Sequence, residues 1–232
     1  MAVLALEAIE IVQGAFRLEA DFTVAEAARV AVIGPSGGGK STLLAVIAGF
    51  LAPDRGRVTW RGRDLEALSP GKRPMSILFQ DNNLFPHLTA AQNVGLGLRP
   101  DLRLSRGDHE QVAQAMARVG LSGLEARRPA AMSGGQQSRV ALARVLLRAQ
   151  PVLLLDEPFA ALGPALKVEM LNLVRDLTTE AGTTLLMVTH DPADARAMAD
   201  KTVLVADGVA HAPRPTSALF DDPPESLRAY LG

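Results

Sequence analysis

Residues 30–49 read VAVIGPSGGGKSTLLAVIAG, and this stretch decides the fold. The apolar run 30–33 predicts a buried strand, and the pattern of residues 41–48 predicts a helix that Gly49 ends. The segment between them matches G-x-x-x-x-G-K-[ST], in which backbone N–H groups curl around phosphate oxygens. We therefore predict a nucleotide-phosphate loop of nine residues: Gly34, Pro35, Ser36, Gly37, Gly38, Gly39, Lys40, Ser41 and Thr42.

Two side chains of this loop have distinct chemical roles. Lys40 supplies a positive charge to the β- and γ-phosphates, and the Ser41 hydroxyl is suited to bind Mg²⁺. The loop by itself fits an ATPase, a GTPase or a small-molecule kinase. The sequence contains no N-K-x-D element for guanine recognition, which disfavours the GTPase.

The composition excludes several classes of protein. The chain has 232 residues, of which 48% are hydrophobic and 21% charged, as in an ordinary globular protein. A net charge of -1 gives no overall attraction to nucleic acid, and the absence of cysteine excludes disulfide scaffolds and zinc–thiolate sites. No apolar run approaches the roughly 20 residues that span a bilayer, so another chain would supply any membrane part.

Four almost continuously apolar runs predict strands that are covered on both faces, as in a parallel sheet. These runs are residues 30–33, 76–79, 152–155 and 184–188. A polar feature follows each run: Gly34, then Gln80, then Asp156 with Glu157, then Thr189 with His190. Because the carboxyl ends of parallel strands share one edge, where ligands bind, we expect these features to converge on one site.

The rest of the chain predicts an antiparallel sheet and a helical insertion. Residues 16–24 alternate between apolar and polar side chains, which indicates a half-buried strand, and residues 57–60 continue that sheet. Residues 86–148 are mostly helical in pattern, and residues 203–209 form a hairpin with an Asp-Gly turn. The predicted fold class is α/β.

The side chains at the strand ends fit the hydrolysis of a nucleotide. Asp156 would hold Mg²⁺, and Glu157 would polarise the attacking water as a general base. His190 would orient that water, and Gln80 would contact either Mg²⁺ or the water. Each feature also has a plain structural interpretation: a surface acidic turn, a structural histidine and an ordinary loop amide.

A second helix start, without a lysine, has the character of an anion-binding loop. It consists of Ser133, Gly134, Gly135 and Gln136. A second copy of the chain, whose site this loop would complete, explains the missing lysine.

The order of these motifs resembles the ATP-binding subunits of ABC transporters from end to end of the chain. The resemblance implies a single nucleotide-binding domain over residues 1–232, with a P-loop (RecA-like) core, an N-terminal antiparallel β subdomain and a helical subdomain at about 86–148. It implies ATP and Mg²⁺ as cofactors, and a nucleotide-sandwich dimer in which residues 133–136 of one copy face the phosphate loop of the other.

The resemblance also implies the surroundings of the protein. The partners would be a transmembrane permease, whose coupling helix docks near the loop after Gln80, and, indirectly, a periplasmic substrate-binding protein. Nucleic acid is not an expected partner. The expected location is the cytoplasmic face of the inner membrane, through the permease.

A closer resemblance is to the ATP-binding subunits of bacterial thiamine importers, in residues 76–85, 92–98, 185–188 and 205–208 and in total length. An importer for another small solute, such as iron or a polyamine, and a soluble ABC ATPase outside transport are the alternatives. A degenerate regulatory cassette is a third.

Four positions depart from the family pattern or leave a role open. Gly163 stands where an aspartate that senses the partner copy is usual, which puts cross-dimer communication in doubt. Gln137 and Ser138 replace the usual arginine and glutamine. Phe16 is a candidate for stacking on adenine, and a core role fits its alternating strand equally well.

Overall fold

The computed structural model describes residues 2–81 and 83–231. Their eleven strands form a single sheet. Its strands are β1 Ala2–Gln13, β2 Phe16–Ala25, β3 Arg29–Ile33, β4 Arg55–Trp60, β5 Arg63–Asp64, β6 Met75–Leu78, β7 Val152–Asp156, β8 Thr184–Val188, β9 Lys201–Ala206, β10 Val209–Ala210 and β11 Arg214–Pro215. The helices are α1 Lys40–Ala48, α2 Ala90–Gly95, α3 Arg106–Arg118, α4 Gly134–Leu147, α5 Pro164–Ala181, α6 Pro192–Met198, α7 Thr216–Asp221 and α8 Glu225–Leu231. Short 3₁₀ turns lie at Pro70–Lys72 and Pro129–Ala131.

The parallel half of the sheet has the strand order β9-β3-β8-β7-β6. Successive side chains of one strand enter different cores: Leu154 packs in one cluster, while Leu153 and Leu155 pack in another. Both faces of these strands are therefore buried, which is why their sequences are apolar without interruption. The four predicted parallel strands are confirmed.

The antiparallel half consists of β1, β2, β4 and β5. In β2 buried and accessible residues alternate along the strand, as the period of two predicts. The short strand β10 pairs with both β2 and β9 and so joins the two halves. The predicted hairpin is the β9–β10 turn, where Asp207 and Gly208 both have positive φ.

The helices predicted for residues 86–148 are α2, α3 and α4, which contact one another. Together with β6, β7 and α5 they bury one hydrophobic cluster that includes Val94, Met116 and Leu142. Among the described residues, no helix combines the length and the apolarity that a bilayer crossing requires.

Arg73 closes the end of α1, the helix that follows the phosphate loop. Its buried guanidinium donates from Nη1 to the carbonyl oxygens of Val46 (2.9 Å) and Ile47 (2.8 Å), and from Nε to that of Leu68 (3.3 Å). Burial lowers the pKa of Arg73. The bond to Ile47 satisfies a carbonyl that the last turn of a helix otherwise leaves unpaired.

We expect Arg73→Met to lower the free energy of unfolding by about 2–3 kcal/mol, because it removes the donor to the carbonyl oxygens of Ile47 and Leu68. Urea denaturation measures the change. The control is Arg63→Met, at an exposed position of β5, where we expect no change. Equal stability of the two variants would contradict the capping role.

Candidate functional site

The phosphate loop, residues 34–42, follows β3 and ends in the first turn of α1, in the strand–loop–helix context that the sequence predicts. Gly34 has φ +151°, and a Cβ atom there would overlap the carbonyl oxygen of Val205. Gly39 has φ +102°, and a Cβ atom there would lie 2.8 Å from Cζ of Phe16. Only glycine fits these two positions, because any side chain there would overlap Val205 or Phe16. The loop is therefore a cradle of backbone atoms at these two positions.

Lys40 is held inside the loop rather than extended from it. Its side chain is buried, and Nζ donates to the carbonyl oxygens of Gly34 (2.8 Å) and Pro35 (2.9 Å). Burial lowers the pKa of Lys40, while the charges of Glu157 and Asp156 act in the opposite direction. The ammonium group is thus placed at the first turn of α1, where the helix dipole also favours an anion.

Ser41 and Asp156 meet across the site. The Ser41 hydroxyl donates to Oδ1 of Asp156 at 3.0 Å, from the first turn of α1 to the last residue of β7. Burial raises the pKa of Asp156, and the bond from Ser41 opposes that shift. The two oxygens fit Mg²⁺, which proteins often bind with one or two side chains and the phosphates of a nucleotide.

The described residues hold no group of three or more histidine, cysteine, aspartate or glutamate side chains arranged for a metal. A magnesium site built on Ser41 and Asp156 therefore needs phosphate oxygens or water as its remaining ligands. The glycine cradle and Lys40 directly precede Ser41 in the chain, so such phosphates would be bound beside it.

Glu157 and His190 form a pair at the ends of β7 and β8. Nδ1 of His190 lies 2.8 Å from Oε2 of Glu157, and 57% of the His190 side chain is exposed. Glu157 has φ +45°, which costs a residue other than glycine about 1–3 kcal/mol, and its N–H donates to the carbonyl oxygen of Val188 at 3.1 Å. A carboxylate that faces a histidine at the edge of the sheet is suited to take a proton from water.

Strand register brings Gln80 to the same edge. Leu78 of β6 is paired with Leu155 of β7, so Gln80 and Glu157 each follow their pair by two residues. Gln80 is exposed at that position. The structure therefore brings together Gly34, Lys40, Ser41, Gln80, Asp156, Glu157 and His190.

The second predicted loop lies apart from this group. The side chain of Ser133 accepts from the N–H of Gln136 (3.3 Å), and Oε1 of Gln136 accepts from the N–H of Ser133 (3.1 Å), which caps α4. Across residues 2–81 and 83–231, no hydrogen bond or ion pair links residues 133–136 to the phosphate loop or the acidic pair. Ser133 and Gly134 are exposed, while Gly135 is packed against Leu166.

Three of these four positions have clear structural surroundings. Nε2 of Gln137 donates to the carbonyl oxygens of Pro129 and Met132, at 3.1 and 3.2 Å, and so ties α4 to the preceding turn. Gly163 precedes α5 with φ −64°, and a Cβ atom there would meet open space, so the backbone does not require glycine. Phe16 is packed against the core and against Gly39, and its contact with adenine stays a prediction.

Tyr230 is a contact of the site that the sequence did not indicate. Its hydroxyl donates to the carbonyl oxygen of His190 at 2.6 Å, from a helix 40 residues further along the chain. No local motif surrounds this tyrosine, so only the tertiary structure places it.

Comparison with known sequences finds strong similarity over most of the chain. The profile of the ABC transporter family matches residues 18–160. The chain is similar to the thiamine import ATP-binding protein ThiQ of Cereibacter sphaeroides, with 64% identity over 98% of both chains. It is also similar to the protein of that name from a Ruegeria species, with 58% identity over 99% of both chains.

Solved structures show the same architecture. A nucleotide-free ATP-binding cassette from an ABC transporter superposes with a TM-score of 0.89 at 25% identity, over 100% of both chains. A dimeric ATP-binding cassette in a post-hydrolysis state, bound to ADP and Pi, superposes with a TM-score of 0.78 at 28% identity. That comparison covers 92% of this chain and 98% of the other.

Proposed function

The chain belongs to the ABC transporter family, and we propose that it is the ATP-hydrolysing subunit of a thiamine importer. Residues 1–232 would form one nucleotide-binding domain. The observation that carries the enzymatic part is the convergence of Lys40, the Ser41–Asp156 pair and the Glu157–His190 pair at one sheet edge. These are the groups that phosphoryl transfer to water requires: a phosphate cradle, ligands for Mg²⁺ and a base.

Each group has one task in the proposed reaction. Lys40 and the N–H groups of the phosphate loop would bind the β- and γ-phosphates, and Ser41 and Asp156 would hold Mg²⁺, which would supply positive charge against the developing negative charge. Glu157 accepts the proton of the attacking water, while His190, bonded to Glu157 through Nδ1, fixes the direction of the carboxylate. Gln80, which follows the end of β6, would contact Mg²⁺ or the water.

We propose that the working unit is a dimer in which residues 133–136 of one copy complete the site of the other. Three observations support this arrangement. The start of α4 is exposed, it lacks a partner anion within its own described chain, and a similar cassette is dimeric with ADP and Pi. The open space at Gly163 means that an aspartate would fit there, so glycine was not imposed by packing.

The permease would dock on an aromatic surface formed by Phe50 and Phe79, whose rings are in contact, and extended by the exposed Phe85 of the loop after Gln80. Phe50 is 56% exposed and Phe85 47% exposed, and the rings of Phe50 and Phe79 are in edge contact with centroids 5.6 Å apart. Large exposed aromatic side chains mark interaction sites. Phe79 directly precedes Gln80, which links this surface to the nucleotide site. Binding there would hold the subunit at the cytoplasmic face of the inner membrane.

A buried asparagine fixes the backbone of residues 85–89, which presents Phe85 at the proposed docking surface. Nδ2 of Asn93 donates to the carbonyl oxygens of Phe85 (3.1 Å), Leu88 (3.3 Å) and Thr89 (3.0 Å), and Oδ1 accepts from the N–H of Phe85 at 2.8 Å. The side chain has no exposed surface. Phe85 is thus presented by a fixed backbone, which lowers the entropy lost on binding.

We expect Phe50→Ser to weaken association with the permease by about tenfold or more, because a buried aromatic anchor is lost from the interface. Co-purification of the full chain with its tagged permease measures the effect. Val12→Ser removes a similarly exposed apolar side chain from the end of β1 and serves as the control. A wild-type yield of complex with Phe50→Ser would contradict the docking surface.

The thiamine assignment is supported by the names of relatives with 64% and 58% identity over nearly the whole chain. The chain, its permease and the periplasmic thiamine-binding protein, reconstituted together in proteoliposomes, test it. We expect ATP hydrolysis to rise with thiamine, and not with iron or a polyamine. If only iron or a polyamine stimulated hydrolysis, the transported solute would be reassigned, and the assignment as an ATPase would stand. No hydrolysis of Mg-ATP at all would refute the enzymatic part.

A further inference from the structure

A third hydrophobic cluster attaches α7 and α8 to the back of the nucleotide site. Its buried members include Ile33 of β3, Leu204 of β9, Phe220 of α7 and Leu227 of α8, and Tyr230 is packed against it. Ile33 directly precedes the phosphate loop. The guanidinium of Arg196 on α6 lies 4.9 Å from the ring centroid of Phe220 and also pairs with Asp221 at 3.2 Å. The two short helices are therefore fixed against the strands of the site.

From this position Tyr230 reaches the segment that joins β8 to α6. Its hydroxyl donates to the carbonyl oxygen of His190 at 2.6 Å. Burial raises the pKa of Tyr230, and the charges of Glu157 and Asp191 act in the same direction, so the hydroxyl remains a donor. The contact joins α8 to the backbone of the residue that pairs with Glu157.

The backbone of this segment is fixed on both sides of His190. The Thr189 hydroxyl donates to Oδ2 of Asp194 at 3.0 Å and accepts from the N–H of Asp191 at 3.1 Å. Asp191 caps α6 and forms an ion pair with Lys167. His190 itself is exposed, so packing does not hold its ring, and the direction of the ring depends on the backbone and on the bond to Glu157.

We propose that Tyr230 is a positioning residue for His190. Its hydroxyl fixes the carbonyl of His190 and thereby the orientation of the imidazole ring that contacts Glu157. The ring in turn holds the carboxylate of Glu157 in its direction toward water. The inference rests on the proposed role of the Glu157–His190 pair. Tyr230 contacts neither the phosphate loop nor the acidic pair through a hydrogen bond among the described residues, so its effect is on the rate of hydrolysis and not on nucleotide affinity.

The test compares Tyr230→Phe, His190→Ala and the double variant of the full chain. Tyr230→Phe keeps the ring in the cluster and removes the hydroxyl. We expect kcat for Mg-ATP to fall by about three- to thirtyfold with KM within about twofold, since an interaction made in the transition state is lost. The double variant should hydrolyse ATP no more slowly than His190→Ala, because the two residues act as one unit.

Arg228→Ala is the matched control. Arg228 belongs to α8, as Tyr230 does, but its side chain does not contact His190. The substitution removes the bond from Nε of Arg228 to the carbonyl oxygen of Pro223. We expect its kcat to equal that of the wild type. Three results would overturn the inference: a wild-type kcat for Tyr230→Phe, a rise of its KM as large as the fall of its kcat, or an additive loss of kcat in the double variant. The proposed function would still stand in these cases, provided that the wild-type protein hydrolyses Mg-ATP. Failure of the wild type to hydrolyse Mg-ATP would overturn both.

Discussion

Glu157→Gln should lower the rate of ATP hydrolysis by about 10²–10⁴-fold, the contribution of a positioned general base. The amide has the shape of the carboxylate and can still contact Nδ1 of His190, which lies 2.8 Å from Oε2, so the local structure should persist. The amide cannot accept the proton of water. Lys40, Ser41 and Asp156 are unchanged, and nucleotide binding should remain within about threefold of the wild type, well under the factor of ten that corresponds to 1.4 kcal/mol.

Phosphate release measures turnover, and binding of a fluorescent ATP analogue measures affinity. Because ATP would be bound and not consumed, gel filtration with Mg-ATP should show more dimer for this variant than for the wild type. Glu180→Gln, at a surface ion pair with Arg118, is the control and should not change turnover. Wild-type turnover in Glu157→Gln would refute the assignment of the base and reopen the alternative of a degenerate cassette.

Gly34→Ala should abolish nucleotide binding and destabilise the protein by at least about 3 kcal/mol, through steric overlap and backbone strain. The methyl group would overlap the carbonyl oxygen of Val205, and that strand cannot retreat because Val205 is buried in the core. Relief requires a shift of the loop itself. The carbonyl of Gly34 that accepts from Lys40 would move with it, and the ammonium group would lose its position.

Isothermal titration with Mg-ATP and thermal denaturation test this expectation. Gly71→Ala is the matched control, because a Cβ atom there meets open space and its φ is not positive. We expect the control to bind ATP normally and to unfold at the wild-type temperature. If Gly34→Ala bound ATP as the wild type does, the close approach of β9 to the loop would not matter for the site.

The edge of the sheet could be predicted because its determinants are local. Continuous apolar runs specify buried parallel strands, and a parallel sheet brings whatever follows those strands to one edge. This rule alone placed Asp156, Glu157 and His190 beside the phosphate loop. The alternation in β2 and the Asp-Gly turn between β9 and β10 were equally local, and both are confirmed.

Contacts between distant segments could not be predicted from patterns. Arg73, on the approach to β6, caps α1 from 26 or 27 residues away, and Tyr230 reaches His190 over 40 residues. Neither residue has a characteristic neighbour in the sequence. Each acts through one side chain whose partner is a backbone carbonyl, and a carbonyl leaves no mark in the sequence because every residue has one.

The helix α1 has one end at the phosphates and the other at the proposed docking surface. It has nine residues, so it is about 13 Å long, and Phe50 follows its C-terminal Gly49 directly. Arg73 binds the far end rigidly. A small tilt of the helix on capture or loss of the γ-phosphate would therefore displace Phe50, at its far end, against the permease.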